Sequence, residues 1–176
     1  DLTFYTQTTA DTTSTKLPKD IKGIDALNKP AELASEDSFR IALIDKIPEK
    51  KLMIEHLKNK KIEETINDNS DIAIFTSPSD TSNIKTEKII LEGYNCQTYK
   101  NSTFITLDCM KNGIRSTDYN QWIELQKDLK NAETENIFII MNNSLDNFSD
   151  NKEARLFIDM LCEIRREINK NIWVLH

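Results

Sequence analysis

The chain has 176 residues, a length that suits one domain with an additional arm. Its net charge of -6 argues against nucleic acid as a partner, because phosphate groups are neutralised by a basic protein face. No apolar run is long enough to span a membrane. The three cysteines, Cys96, Cys109 and Cys162, lack CxxC spacing, so neither a zinc cluster nor a disulfide framework is predicted.

Residues 1–36 are predicted to form a Thr-rich linker or N-terminal arm. The run TQTTADTTSTK has too little apolar surface to bury, although residues 2–5 suit a short edge strand. The chain begins at Asp1 without an initiator Met and ends at His176 directly after an apolar run. We therefore expect it to be a piece of a longer protein, and a Thr-rich linker between domains is typical of surface proteins.

Residues 37–176 are predicted to form one α/β domain. Short runs of β-branched and aromatic residues predict strands at residues 39–44, 71–75, 88–91, 103–107, 137–141 and 172–175. Apolar residues at helical spacing predict helices at about residues 52–67, 117–129 and 150–168. Strands that alternate with helices imply right-handed crossovers, so the predicted architecture is layered, with a mostly parallel central sheet and flanking helices.

Several side chains can be assigned to positions on these helices. Trp122 is predicted to be buried between its helix and the sheet. His56 shares the apolar stripe of the first helix and is expected to pack there, and Cys162 is expected on the buried face of the last helix. Asp150 and Glu153 have the spacing of a capping box at the start of that helix.

Polar side chains follow most of the predicted strands. The carboxyl ends of parallel strands share one edge of a sheet, where open α/β sheets bind ligands. The candidate binding residues at this edge are Asp45, Asp80, Asp108, Asn142 and His176. Such side chains can hold divalent metals, and two metals can clamp a phosphate ester. A purely structural role is the alternative, because Asp and Asn are favoured in turns and helix caps.

Other chemistries lack their sequence patterns. Neither GxGxxG nor GxxxxGK[ST] occurs, and a chain with three glycines is poorly suited to a Gly-rich phosphate cradle. GxSxG is absent as well. His56 and His176 are the two histidines, which limits both metal ligation and general-base catalysis. No catalytic residue is therefore assigned.

The chain resembles the calcineurin-like metallophosphoesterases over about residues 39–176. FRIALID resembles the first strand of that family, which leads into an Asp-x-His motif, and DIAIFTSPSD resembles the second strand, which leads into Gly-Asp. QWIEL resembles the Gln-Trp-x-x-Leu helix of the family. IFIIMNNSLDNF resembles the strand that ends in a metal-binding His, and NIWVLH resembles the strand before the closing Gly-His-x-His.

The segments that carry the family's chemistry depart from its motifs. Asp45 matches the first Asp, but Ile47 occupies the position of the motif's His. A Ser-Pro pair replaces Gly-Asp, with Asp80 two residues later, and Asn142 or Asn143 stands in place of the strand-end His. His176 is either the first residue of the closing motif or only the residue at which the sequence ends. Because a two-metal site needs most of these ligands together, the resemblance implies a degenerate domain that holds no metal.

The resemblance implies a non-catalytic accessory or binding domain of a larger bacterial protein, secreted or at the cell surface. Similar domains accompany phosphodiester glycosidase domains. The expected partners are other domains of the same polypeptide and a cell-surface carbohydrate or phosphate ester. The alternative is an active metal-dependent phosphoesterase, a phosphodiesterase or phosphatase, which would use Mn, Fe or Zn. A third option is an interaction domain that offers Asp45 and Asn142 to a partner chain.

Overall fold

The computed structural model describes residues 38–47 and 53–176, so the predicted linker and the predicted strand at residues 2–5 lie outside the described residues. The described elements are, in chain order, β1 (Ile41–Ile44), α1 (Met53–Asn69), β2 (Ile72–Phe75), β3 (Glu87–Ile90), β4 (Asn95–Tyr99), β5 (Ser102–Leu107), α2 (Ile114–Thr117), α3 (Asn120–Asn131), β6 (Asn136–Met141), α4 (Asn151–Ile168) and β7 (Asn171–Leu175). A 3-10 turn at Leu145–Asn147 precedes α4. The strands and helices that the sequence predicts within these ranges are confirmed, with small shifts in their bounds.

The strands form two sheets, whereas the sequence analysis predicted one central sheet. Sheet A has the order β1-β2-β3 and is parallel throughout. Sheet B has the order β4-β5-β6-β7, with β4 antiparallel to β5 and the other neighbours parallel. The α/β class and the mostly parallel pairing are confirmed. The two sheets separate after β3, where the chain turns through Gly93 with φ +113° and enters β4.

The buried residues of β2 show how the layers pack. Ile72 and Ile74 point toward sheet B and join an apolar core between the two sheets, which also contains Phe104. Ala73 and Phe75 point the opposite way, into a core beneath α1. Because successive side chains of a strand face opposite sides, a strand between two cores reads as a continuous apolar run.

The outer face of sheet B carries the largest core. Ile137 and Ile139 of β6 pack there against α3 and α4, while Ile140 of the same strand faces sheet A. The molecule is therefore layered as α1, sheet A, sheet B and then α3 with α4. None of the described helices combines the length and apolarity needed to cross a bilayer.

The structure corrects two of the helix assignments. Trp122 is 9% exposed and packs edge-to-face against Phe157, so its predicted burial is confirmed. His56, however, is exposed, and among the side chains described in α1 the first buried one is Asn59. Cys162 is also exposed, since the buried face of α4 passes through its neighbour Leu161.

The capping prediction at the start of α4 is confirmed for one of its two residues. Asp150 is the N-cap, and its side chain accepts a hydrogen bond from the Lys152 backbone N–H at 2.9 Å. Glu153 turns inward instead of toward the cap. Its Oε1 accepts hydrogen bonds from the Arg115 backbone N–H at 2.7 Å and from Trp122 Nε1 at 3.0 Å. This carboxylate, 6% exposed, therefore ties α2 and α3 to α4.

Candidate ligand-binding site

A cleft of about 390 Å³ lies between the carboxyl ends of the two sheets, and we call it the strand-end cleft. Its volume falls within the range of about 300–1,000 Å³ common for small-molecule sites. The residues that line the cleft follow the carboxyl ends of four strands. They are Thr76, Ser77 and Pro78 after β2; Leu91, Glu92 and Gly93 after β3; Asp108 and Met110 after β5; and Asn142 after β6. The cleft occupies the position at which open α/β sheets bind ligands.

Asp108 and Asn142 form a hydrogen-bonded pair in the cleft. Asn142 Nδ2 donates to Asp108 Oδ1 at 2.9 Å, and Asn142 Oδ1 accepts from the Cys109 backbone N–H at 2.7 Å. The Met110 backbone N–H also donates to Asp108 Oδ1, at 3.0 Å. Asp108 Oδ2 accepts no hydrogen bond from the described residues, and the second Nδ2 hydrogen of Asn142 likewise has no described acceptor. One acceptor and one donor therefore lie side by side.

Gln121 of α3 holds this pair in place from the protein interior. Gln121 is 2% exposed, and its Oε1 accepts from the Asp108 backbone N–H at 2.8 Å. Its Nε2 donates to the Asp108 backbone carbonyl at 2.9 Å. Because both main-chain groups of Asp108 are fixed in this way, its carboxylate has a defined position at the end of β5.

Asp45 supports the opposite wall of the cleft without lining it. Its Oδ1 accepts hydrogen bonds from Ser77 Oγ at 2.8 Å and from Thr76 Oγ1 at 3.3 Å. Both hydroxyl hydrogens point toward Asp45, so the hydroxyl oxygens of Thr76 and Ser77 are left as acceptors. The carboxylate at the end of β1 thereby sets the hydrogen-bonding character of the residues after β2.

The two remaining candidate residues lie apart from the cleft. Asp80 Oδ1 accepts from the Ser82 backbone N–H at 3.1 Å and from Ser82 Oγ at 2.7 Å, which is a local turn contact. His176 is exposed and follows β7, the outermost strand of sheet B. The structure thus brings Asp108 and Asn142 together, with Asp45 behind the opposite wall.

Several of the lining residues were not predicted from the sequence. Glu92 and Gly93 follow β3, and the rule that selected the other strand ends would have selected them had β3 been given equal weight. Met110 lies two residues after Asp108, and nothing in its local pattern distinguishes it. Gln121 was visible as part of the QWIEL segment, but its contact with Asp108 spans 13 residues and depends on how α3 packs.

The lining of the cleft is acidic. Glu92 and Asp108 contribute carboxylates, and none of the nine lining residues is Lys or Arg. Behind Asp108, burial, together with the negative charges of Asp108 and Glu153, raises the pKa of the Cys109 thiol to about 12. Cys109 is therefore a neutral core side chain at physiological pH and does not serve as a nucleophile.

The carboxylate oxygens at the ends of β1 and β5 take part in hydrogen bonds. Asp45 Oδ1 and Asp108 Oδ1 each already accept two hydrogen bonds from neighbouring groups. Within the described parts of the chain, no group of three or more His, Cys, Asp and Glu side chains is arranged to hold a metal ion. As they stand, these residues can orient a polar ligand through fixed donors and acceptors.

Comparisons with family models, with curated proteins and with solved structures find nothing that matches this chain. The resemblance to calcineurin-like metallophosphoesterases therefore stays a prediction.

Proposed function

We propose that this chain is a degenerate, calcineurin-like phosphoesterase domain that binds a ligand in the strand-end cleft without catalysis. It would serve as an accessory domain of a larger bacterial protein, secreted or at the cell surface. The observation that supports this proposal most directly is the Asp108–Asn142 pair. In the family that the sequence resembles, a metal-binding His ends the strand at the position of Asn142, and here the amide instead bonds to its neighbours.

The arrangement of the strands is compatible with such a scaffold. The segments FRIALID, DIAIF, IFIIMNN and NIWVL each contain all or most of a parallel strand, and β1 and β2 end beside one another, as β6 and β7 do. The side chains at the ends of β1, β5 and β6 remain polar, but they bond to hydroxyl and backbone donors of adjacent loops. We infer that the family scaffold was kept and that its metal-binding positions were reassigned to hydrogen bonding.

The second candidate is an active metal-dependent phosphoesterase. It is favoured by the presence of one carboxylate at the end of a strand in each sheet, Asp45 in sheet A and Asp108 in sheet B. In that case the outward oxygen of Asp108 would be a ligand for Mn, Fe or Zn. The metal would polarise the phosphate ester and activate water.

Metal content and phosphodiester turnover separate these two functions. The purified chain is incubated with Mn²⁺, Fe²⁺ or Zn²⁺ and dialysed, and then analysed for retained metal and for hydrolysis of bis(p-nitrophenyl) phosphate. For the accessory domain we expect no retained metal, no turnover and a melting temperature that EDTA leaves unchanged.

Two variants make this test specific. Asp108→Asn removes the charge of the candidate ligand, and Asp159→Asn makes the same change on the exposed face of α4. Near-stoichiometric metal together with turnover that Asp108→Asn abolishes and Asp159→Asn preserves would overturn the non-catalytic proposal.

A further inference from the structure

We propose that the ligand of the strand-end cleft is a neutral, polyhydroxylated molecule of the size of a sugar ring, and not a phosphate ester. This inference rests on the proposed binding function, because it names the chemical class that the same cleft would take. It follows from the hydrogen-bonding character, the charge and the apolar surface of the residues that line the cleft.

The polar side chains that line the cleft are mainly hydrogen-bond acceptors. The hydroxyls of Thr76 and Ser77 donate to Asp45, so their oxygens are left as acceptors. Glu92 and the Oδ2 atom of Asp108 add carboxylate acceptors. A ligand that fits such a surface brings its own donors. Hydroxyl groups do so, whereas the oxygens of an ionised phosphate ester only accept.

The Asp108–Asn142 pair matches a hydroxyl group in a second respect. Asp108 Oδ2 is an acceptor, and the remaining Nδ2 hydrogen of Asn142 is a donor beside it. One hydroxyl, or two on adjacent carbons, can donate to the first and accept from the second at the same time. An ammonium group would satisfy the acceptor but leave the donor unused. The pair therefore favours a neutral hydroxyl over a cation.

Charge separates sugars from phosphate esters. The carboxylates of Glu92 and Asp108 share the cleft, and none of the nine lining residues carries a positive charge to offset them. A phosphate group would bring further negative charge into partly shielded surroundings, where repulsion between like charges is stronger than in open water. A neutral ligand avoids this repulsion.

Apolar side chains complete the lining. Pro78 and Leu91 line the cleft on the sheet A side, and Met110, 73% exposed, lines it on the sheet B side. The C–H faces of a sugar ring are apolar and can pack against such surfaces. The thioether of methionine adapts its shape to irregular partners. The combination of acceptors with apolar contacts suits a ring whose rim carries hydroxyls.

Matched sugars test the inference. The ¹⁵N-labelled chain is titrated with glucose, galactose and mannose, with the 6-phosphate of each, and with glucosamine, while amide chemical shifts are recorded. We expect at least one neutral hexose to shift the Gly93 backbone amide and the Asn142 side-chain amide in a saturable manner. Its 6-phosphate should bind about tenfold or more weakly, because of repulsion from the two carboxylates.

A charge variant shows whether the cleft is responsible. Glu92→Gln should reduce the difference in affinity between the hexose and its 6-phosphate. Glu133→Gln, the same change at an exposed site outside the cleft, should leave this difference in affinity unchanged. Tighter binding of the phosphate, binding of glucosamine alone, or no saturable shift with any hexose would overturn the inference. Binding of the phosphate at these residues without turnover would still leave the proposed accessory function in place.

Discussion

Replacing Trp122 with Phe removes the N–H donor of the hydrogen bond to Glu153 while an aromatic ring stays in the core. A hydrogen bond to a charged group contributes about 1.5–3 kcal/mol. The smaller Phe ring also leaves a cavity. At about 24 cal/mol per Å³ of cavity volume, we expect this cavity to lower the free energy of unfolding by about 1 kcal/mol. We therefore expect Trp122→Phe to lower the free energy of unfolding by about 2.5–4 kcal/mol.

A double-mutant cycle with Glu153→Ala separates these two contributions. Without the carboxylate, Trp122→Phe should cost only the packing part, so the coupling energy should be about 1.5–3 kcal/mol. Urea unfolding followed by far-UV circular dichroism gives the free energy of unfolding of the parent protein, the two single mutants and the double mutant. Trp173→Phe serves as the control, because Trp173 is 41% exposed and its replacement should cost about 0.5 kcal/mol or less. A coupling energy below about 0.5 kcal/mol would refute the role assigned to Glu153.

Three further outcomes can be measured directly. Burial raises the pKa of Asp71, but the hydrogen bonds and charge of Arg40 outweigh burial and leave this pKa below its ordinary value. The resulting stabilisation is present above the unfolded pKa of about 3.9 and is lost as the pH falls through the lower folded pKa. Asp71→Asn should therefore flatten the acid limb of a plot of melting temperature against pH, and an unchanged limb would contradict the pairing. Exposed Cys162 should react with a thiol reagent in the native protein at about pH 8, whereas buried Cys109, whose pKa is raised to about 12, should react only after unfolding. Mass spectrometry of labelled peptides checks this order, and native labelling of Cys109 would count against it. Finally, the methyl group introduced by Gly113→Ala would lie 2.6 Å from Oε2 of the buried Glu153 carboxylate. We expect Gly113→Ala to lower the free energy of unfolding, measured in urea, by about 1–3 kcal/mol. An unchanged free energy of unfolding would show that the neighbouring side chains rearrange at little cost.

The strands were predictable where both of their faces are buried. β2 and β6 are apolar nearly throughout, and β5 alternates Ser and Thr with apolar residues but is fully buried, because each of these strands lies between two layers. β4 was missed because its sequence, NCQTY, is polar and its residues are largely exposed at the edge of sheet B. Nor could local pattern reveal two sheets, since a run such as IAIF specifies that both faces are covered but not what covers them.

Helix faces and the cleft show a similar limit. Phe157 and Leu161 of α4 lie in the core, but Cys162, which was expected on the same face, does not, because one residue turns the side chain by about 100° around the helix axis. In the cleft, Asp108 and Asn142 could be predicted because they directly follow apolar strands. Glu92 could not be ranked beside them, since β3 is half polar and gives a weak signal.

Each sheet is built from one continuous part of the chain, residues 41–90 for sheet A and residues 95–175 for sheet B. During synthesis, all of sheet A would emerge from the ribosome before β5 and β6 do. Its inner face, with Ile72, Ile74 and Ile89, would then remain in contact with water or with a chaperone. We expect the two halves to close locally and to become one cooperative unit only when Phe104 and Ile140 cover that face.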